Sequence, residues 1–148
     1  MITFAPMDTN TNFEFLASFF LPDGILDWFE YVKVTEEQIE PKKDELFKSR
    51  LHIYLDERDN RTNEHLFLTP NGFTESTDVA DFPIRDRKVV LHIRRRRWKD
   101  ESGHNVLLNL YPITAEGTRY SEEFAAFLKG SAGYDSGDFE TLGSILSD

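Results

Sequence analysis

Residues 81–98 read DFPIRDRKVVLHIRRRRW. Val89, Leu91 and Ile93 recur at every second position, the period of a strand with one face in a core. Val90, His92, Arg94, Arg96 and Trp98 take the opposite face. Phe82-Pro83 opens the stretch as a turn, and four consecutive arginines, Arg94, Arg95, Arg96 and Arg97, precede Trp98. Continued alternation would put Arg95 and Arg97 on the core side, where an unpaired guanidinium is too costly to bury. The reading is a strand whose core ends near Ile93 and which runs on as a solvated basic ribbon with an aromatic at its end. Such a ribbon suits phosphates.

Further strands lie on either side. Lys99–Gly103 (KDESG) has the composition of a hairpin loop, and Val106, Leu108 and Leu110 alternate as a return strand limited by Pro112. Upstream, Leu51, Ile53 and Leu55 alternate in RLHIYLDER, and Tyr31–Thr35 (YVKVT) alternates as another strand. Leu51-His52-Ile53 recurs as Leu91-His92-Ile93; nothing around it repeats, so it reads as coincidence of strand chemistry. Residues 36–49 read as a charged loop and 56–62 as a polar turn. Residues 65–68 read as a short strand, 70–72 as a turn and 73–81 as an acidic loop.

Helical signals sit at the two ends. Thr11 or Asn12 is placed to cap a helix starting at Phe13, with Phe13, Leu16, Phe19 and Phe20 at helical spacing for packing. Leu21-Pro22-Asp23-Gly24 stops it, and residues 25–29 form another helical turn with Trp28 and Phe29 as core anchors. Thr118 or Ser121 caps a last helix, whose stripe is Tyr120, Phe124, Phe127 and Leu128 and whose stop is Lys129-Gly130. The expected class is α+β: a small antiparallel sheet packed with N-terminal helical turns and a C-terminal helix. Residues 1–12 read as a flexible arm, 13–130 as one domain and 131–148 as a mobile acidic tail.

Composition narrows the function classes. The chain has 148 residues, enough for one domain with its own core. It has no cysteine, which excludes disulfides and thiolate zinc sites. Its four histidines are scattered, so neither metal nor cofactor is expected. No segment approaches the ~20 apolar residues of a membrane span, and the expected location is cytoplasmic. The net charge is −10, yet residues 84–99 carry eight basic residues against one acid, Asp86. The strip is therefore either a phosphate surface or a set of cations paired with acids elsewhere.

No catalytic motif is present: no glycine-rich phosphate loop, no GxSxG, no cysteine nucleophile. Asp56, Glu57 and Asp59 read as solvated turn acids; His92 is placed to touch phosphate or to pack against Tyr54, and reads as a satisfied structural histidine. Two non-enzymatic classes remain, a DNA-binding module using the arginine ribbon and a protein-interaction or assembly module. An arginine row free of carboxylates favours the first; arginines uniformly paired with carboxylates favour the second.

Four segments carry a resemblance: LPDGILDWFEYV (21–32), LHIYLDE (51–57), DFPIRDRKVVLHIRRRRW (81–98) and GTRYSEEFAAFLK (117–129). In this order they resemble the N-terminal region of bacterial insertion-sequence transposases of the ISAon-type group, over roughly residues 13–130. More distantly, the region is similar to the zinc-binding N-terminal segment of ISL-three type transposases, whose metal cysteines this chain lacks. The resemblance implies a non-catalytic module that helps recognise the double-stranded DNA of the element's ends. It also implies a catalytic transposase subunit that can be encoded separately. The residues it carries over for nucleic-acid contact are Arg94, Arg95, Arg96, Arg97 and Trp98, with Arg85 and Lys88 beside them. The chain departs from the family pattern at Asp86, where glycine is usual, and in residues 104–111, which lack an Asp-Trp.

Overall fold

A computed structural model of the chain describes residues 9–40, 46–115 and 117–131. The order is α1 (Thr9–Ala17), α2 (Ile25–Trp28), β1 (Phe29–Gln38), β2 (Ser49–Glu57), a 3₁₀ turn (Asn63–His65), β3 (Thr69–Phe73), β4 (Thr77–Ile84), β5 (Arg87–Arg94), β6 (Arg96–Lys99), β7 (Asn105–Val106) and α3 (Glu122–Ser131). The class is α+β as expected. Two sheets share the strands, one ordered β1-β2-β5-β4 and the other β3-β6-β7.

The larger sheet is mixed. β1 pairs with β2 and β4 with β5 antiparallel, but the central pair, β2 and β5, is parallel, with Ile53 opposite Leu91 and Tyr54 opposite His92. One face of this sheet brings together Ile53, Leu55, Val79, Val89, Leu91 and Ile93. Ile25, Phe29 and Ile113 close over them into the main core. Each such side chain, fully buried, contributes about 1.5–3 kcal/mol. The alternation of residues 89–93 was the correct signal for this face. The other face of β4 carries Ala80, on which α3 packs Phe124 and Leu128. The Ser121 hydroxyl accepts the Phe124 N–H at 3.4 Å, so Ser121 is the residue that caps α3.

β5 does not run on as a ribbon. At Arg95 the chain leaves the first sheet: its N–H donates to Thr74 Oγ1 at 3.0 Å and its carbonyl accepts the Thr74 N–H at 2.8 Å. β6 then joins the second sheet, between β3 and β7, and Trp98 is buried there with Leu68 and Leu108. The hairpin at 99–103 forms, but its return strand is only Asn105–Val106.

Several local expectations change. Residues 77–81 are strand, because Asp78 and Asp81 find partners on other elements (His92 and Ser121) and need no solvent loop. Residues 63–65 form a 3₁₀ turn closed by reciprocal bonds between Thr62 and His65. Asp56 and Glu57 end β2 and are not part of a turn. Phe13, Leu16, Phe19 and Phe20 do not pack in the core; all four are half exposed or more. α1 starts at Thr9, inside the segment expected to be an arm. Most of the expected acidic tail, residues 132–148, lies outside the described residues.

The β4–β5 hairpin turns on Arg85-Asp86, with Ile84 opposite Arg87. Arg85 has φ 56°, the only non-glycine residue with positive φ among those described. Left-handed backbone costs an L-residue about 1–2 kcal/mol, and glycine returns about 0.5–1 kcal/mol of that as chain entropy. Arg85→Gly is therefore expected to raise the thermal unfolding midpoint slightly, and a lowered midpoint would contradict this account.

Candidate nucleic-acid interface

The seven candidate residues do not form one basic surface. Arg94 donates from Nε to Asp56 Oδ1 at 2.7 Å and pairs through its other arm with Oδ2, a two-pronged bond to the neighbouring strand. Arg96 donates its backbone N–H to Glu57 Oε1 and its Nε to the Glu57 carbonyl, both at 2.8 Å. The Arg94 and Arg96 guanidiniums both lie over the Phe73 ring, 4.5 and 5.0 Å from its centroid. Arg95 points inward, pairing with Glu57 Oε2 at 3.6 Å and donating to the Tyr111 carbonyl at 3.2 Å.

The expected penalty for burying guanidinium is thus met by pairing. Glu57, itself only 3% exposed, is the acid that makes the inward arginine possible. Burial raises its pKa, and the Arg96 N–H and the Arg95 charge oppose that rise. Trp98 is 1% exposed and carries the Arg61 guanidinium 4.4 Å above its ring. It belongs to a core and is not placed to stack on a base. Lys88 is also buried, with its ammonium near the Phe47 ring. Of the seven, Arg85 and Arg97 are exposed without a carboxylate partner among the described residues, and Lys99 joins them.

Two features lay outside the sequence reading. The first is an apolar cleft of about 730 Å³ between α1 and the β1 side of the sheet, lined by Phe13, Leu16, Phe20, Leu26, Tyr31 and Val34 among others. A bulge at Val32 lets both Tyr31 and Val34 face it. The second is a contact between His52 and His92, whose ring nitrogens lie 2.7 Å apart. The repeated Leu-His-Ile tripeptide was its signal. The parallel register places the two histidines on one face, and Tyr54 stacks on His92 at 4.5 Å.

Asp81 is a second buried acid, 2% exposed, accepting the Ser121 hydroxyl at 2.7 Å while its Oδ2 has no partner among the described residues. Burial pushes its pKa up to about 6, against the pull of that hydroxyl. A carboxyl with a raised folded-state pKa binds its proton more tightly when folded. Its contribution is therefore greatest at acid pH and is lost as pH rises from about 4 to about 6. The loss is about 3 kcal/mol. Asp81→Asn keeps the acceptor for Ser121 and is expected to flatten that segment of the stability–pH curve in urea unfolding; an unchanged slope would assign it to another group.

Among the described residues no group of three or more histidines and acids is placed to hold a metal ion, and no helix is long and apolar enough to cross a membrane. Comparison of the chain with known protein families, curated proteins and solved structures finds no match.

Proposed function

We propose that the chain is a non-catalytic assembly module, working in the cytoplasm, that docks a protein partner in the cleft between α1 and β1. The observation carrying this reading is the cleft itself: Phe13, Leu16, Phe20, Tyr31 and Val34 are each about half exposed or more and line one concave surface. A contiguous exposed apolar surface on a small domain often marks an interaction site. The pairing of the Arg94 and Arg95 guanidiniums with Asp56 and Glu57 supports the same choice. The resemblance to transposase N-terminal regions names the partner class, a separately encoded catalytic transposase subunit.

The test is co-purification of this chain with that subunit, with Phe20→Glu and Val34→Glu as exposed-site variants that leave the core intact. The expected result is a complex weakened at least tenfold by either charge. A second reading, double-stranded DNA contact, is favoured by the exposed Arg85, Arg97 and Lys99. It predicts DNA binding that falls steeply with salt and weakens in Arg97→Ala and Lys99→Ala. Replacing all four consecutive arginines does not test it, because three of them hold the fold. Steep DNA binding together with no complex would replace the assembly reading by the second.

A further inference from the structure

The charged residues around the apolar cleft are all of one sign. Beside the cleft lie two smaller hollows, of about 420 and 240 Å³; the first shares Phe20, Leu21 and Ile84 with it, and the second shares Leu26. The charged residues lining the three are Glu14, Asp23, Asp27, Asp81 and Glu123, and among the described residues no lysine, arginine or histidine lines any of them. Glu36, Glu37, Asp56, Glu57, Asp59 and Asp86, elsewhere in the fold, each pair with an arginine. The five lining acids have no cationic partner among the described residues. Arg58 comes near but donates to the Leu26 carbonyl at 3.1 Å, and Arg85, next to Ile84, pairs with no carboxylate.

The fold draws these acids together. Glu123, in the first turn of α3, accepts the Asp23 N–H at 3.1 Å, and both residues are exposed. Asp81 lines the same hollow as its buried member, 2% exposed, with its Oδ2 unpartnered among the described residues. Tyr111, whose hydroxyl donates to the Asp23 carbonyl, registers the charge: burial first, then Glu123, Asp23, Glu122 and Asp81, push its pKa up to about 12. Like charges without counter-charges leave a negative potential, and a concave surface focuses it. A groove with apolar walls takes the apolar stripe of a helix, and an acidic margin selects the charge beside that stripe. The chain's own residues 132–148 supply apolar side chains such as Phe139, Leu142 and Ile145, but they carry four acids and no lysine or arginine. Their charge is wrong for this margin.

We propose that the partner segment is a basic amphipathic helix: its apolar stripe seats on Phe13, Leu16, Phe20, Tyr31 and Val34, and a lysine or arginine flanking that stripe faces Asp23 and Glu123. The proposal rests on the reading that the cleft docks a protein partner, and it adds the chemistry of the segment that docks.

The probes are three fluorescently labelled helical peptides with leucine at positions i, i+3, i+4 and i+7, flanked by lysine, by glutamine or by glutamate. Their binding to the full chain is read by anisotropy. At low salt the lysine peptide is expected to bind about tenfold more tightly than the glutamine peptide, and the glutamate peptide most weakly. Added salt is expected to shrink that preference. Asp23→Asn combined with Glu123→Gln keeps the size of both exposed side chains. It is expected to cut the lysine preference by about threefold or more and to leave the glutamine peptide's affinity unchanged. Phe20→Ser, a neutral change at an exposed position, is expected to weaken all three peptides. Equal affinity for the three, or a lysine preference untouched by the double variant, would overturn the charge match and leave docking in the cleft standing. Lysine-peptide binding that Phe20→Ser does not weaken would place the peptide outside the cleft and sink the proposal. Failure of the lysine peptide to bind would do the same, while co-purification of the catalytic subunit abolished by Phe20→Glu would keep the docking reading. Self-association of the free chain that disappears in Phe20→Ser would give the cleft to a second copy and refute a basic partner.

Discussion

Glu57→Ala is expected to destabilise the chain by about 3–5 kcal/mol, the cost of leaving a buried charge pair half made. The carboxylate accepts the Arg96 N–H at 2.8 Å and faces Arg95 Nη1 at 3.6 Å. Arg95 Nη1 has no hydrogen-bond partner among the described residues, so Glu57 supplies the charge that offsets its burial. Removing it strands a guanidinium beside Phe29 and Tyr111 and frees the N–H that starts β6. Glu57→Gln separates the two contributions. It keeps an acceptor for Arg96 but loses the charge facing Arg95, so a smaller loss of about 1–3 kcal/mol is expected. Urea unfolding of the three proteins side by side measures both. Equal losses in the two variants would mean that the charge and not the acceptor carries the effect.

Trp98→Ala is expected to cost about 3–5 kcal/mol by cavity formation, and to do so locally. The second sheet buries three large side chains, Leu68, Trp98 and Leu108, with Val106 beside them. Without the indole there is little left to hold β3, β6 and β7 together, and Arg61 loses the ring beneath it. The expected signature is loss of amide protection in residues 69–73 and 96–106, ahead of the larger sheet. Full protection retained in both strands would show that Trp98 is not the anchor. Any loss of partner or DNA binding in this variant reports folding and not contact.

Much of this was legible in residues 81–98, and the limits of that reading have specific causes. The alternation at 51–55 and 89–93 is local, and it gave both central strands. Their parallel pairing is not local: register is set by where β3 and β4 return the chain, and no short window contains that. The arginine row was misread for a related reason. Burial is prohibitive only for unpaired guanidiniums, and by composition Asp56 and Glu57 read as a turn. Extending β2 through them places Asp56 opposite Arg94. The aromatics of α1 have a helical period whether they face a core or solvent, so spacing left their exposure undetermined. The two histidines carried a signal in the repeated tripeptide, and it becomes informative only when both strands are known to be neighbours.

The central parallel pair also sets a schedule. When β2 has formed, its inner partner does not yet exist as a strand; β3 and β4 must be laid down before β5 can close the gap. Phe29, Ile53 and Leu55 wait uncovered in the meantime. The contacts that stabilise the core are thus long-range in the chain, the kind that slows folding into roughly the millisecond-to-second range. A chain halted after β2 holds an antiparallel pair with an uncovered apolar face.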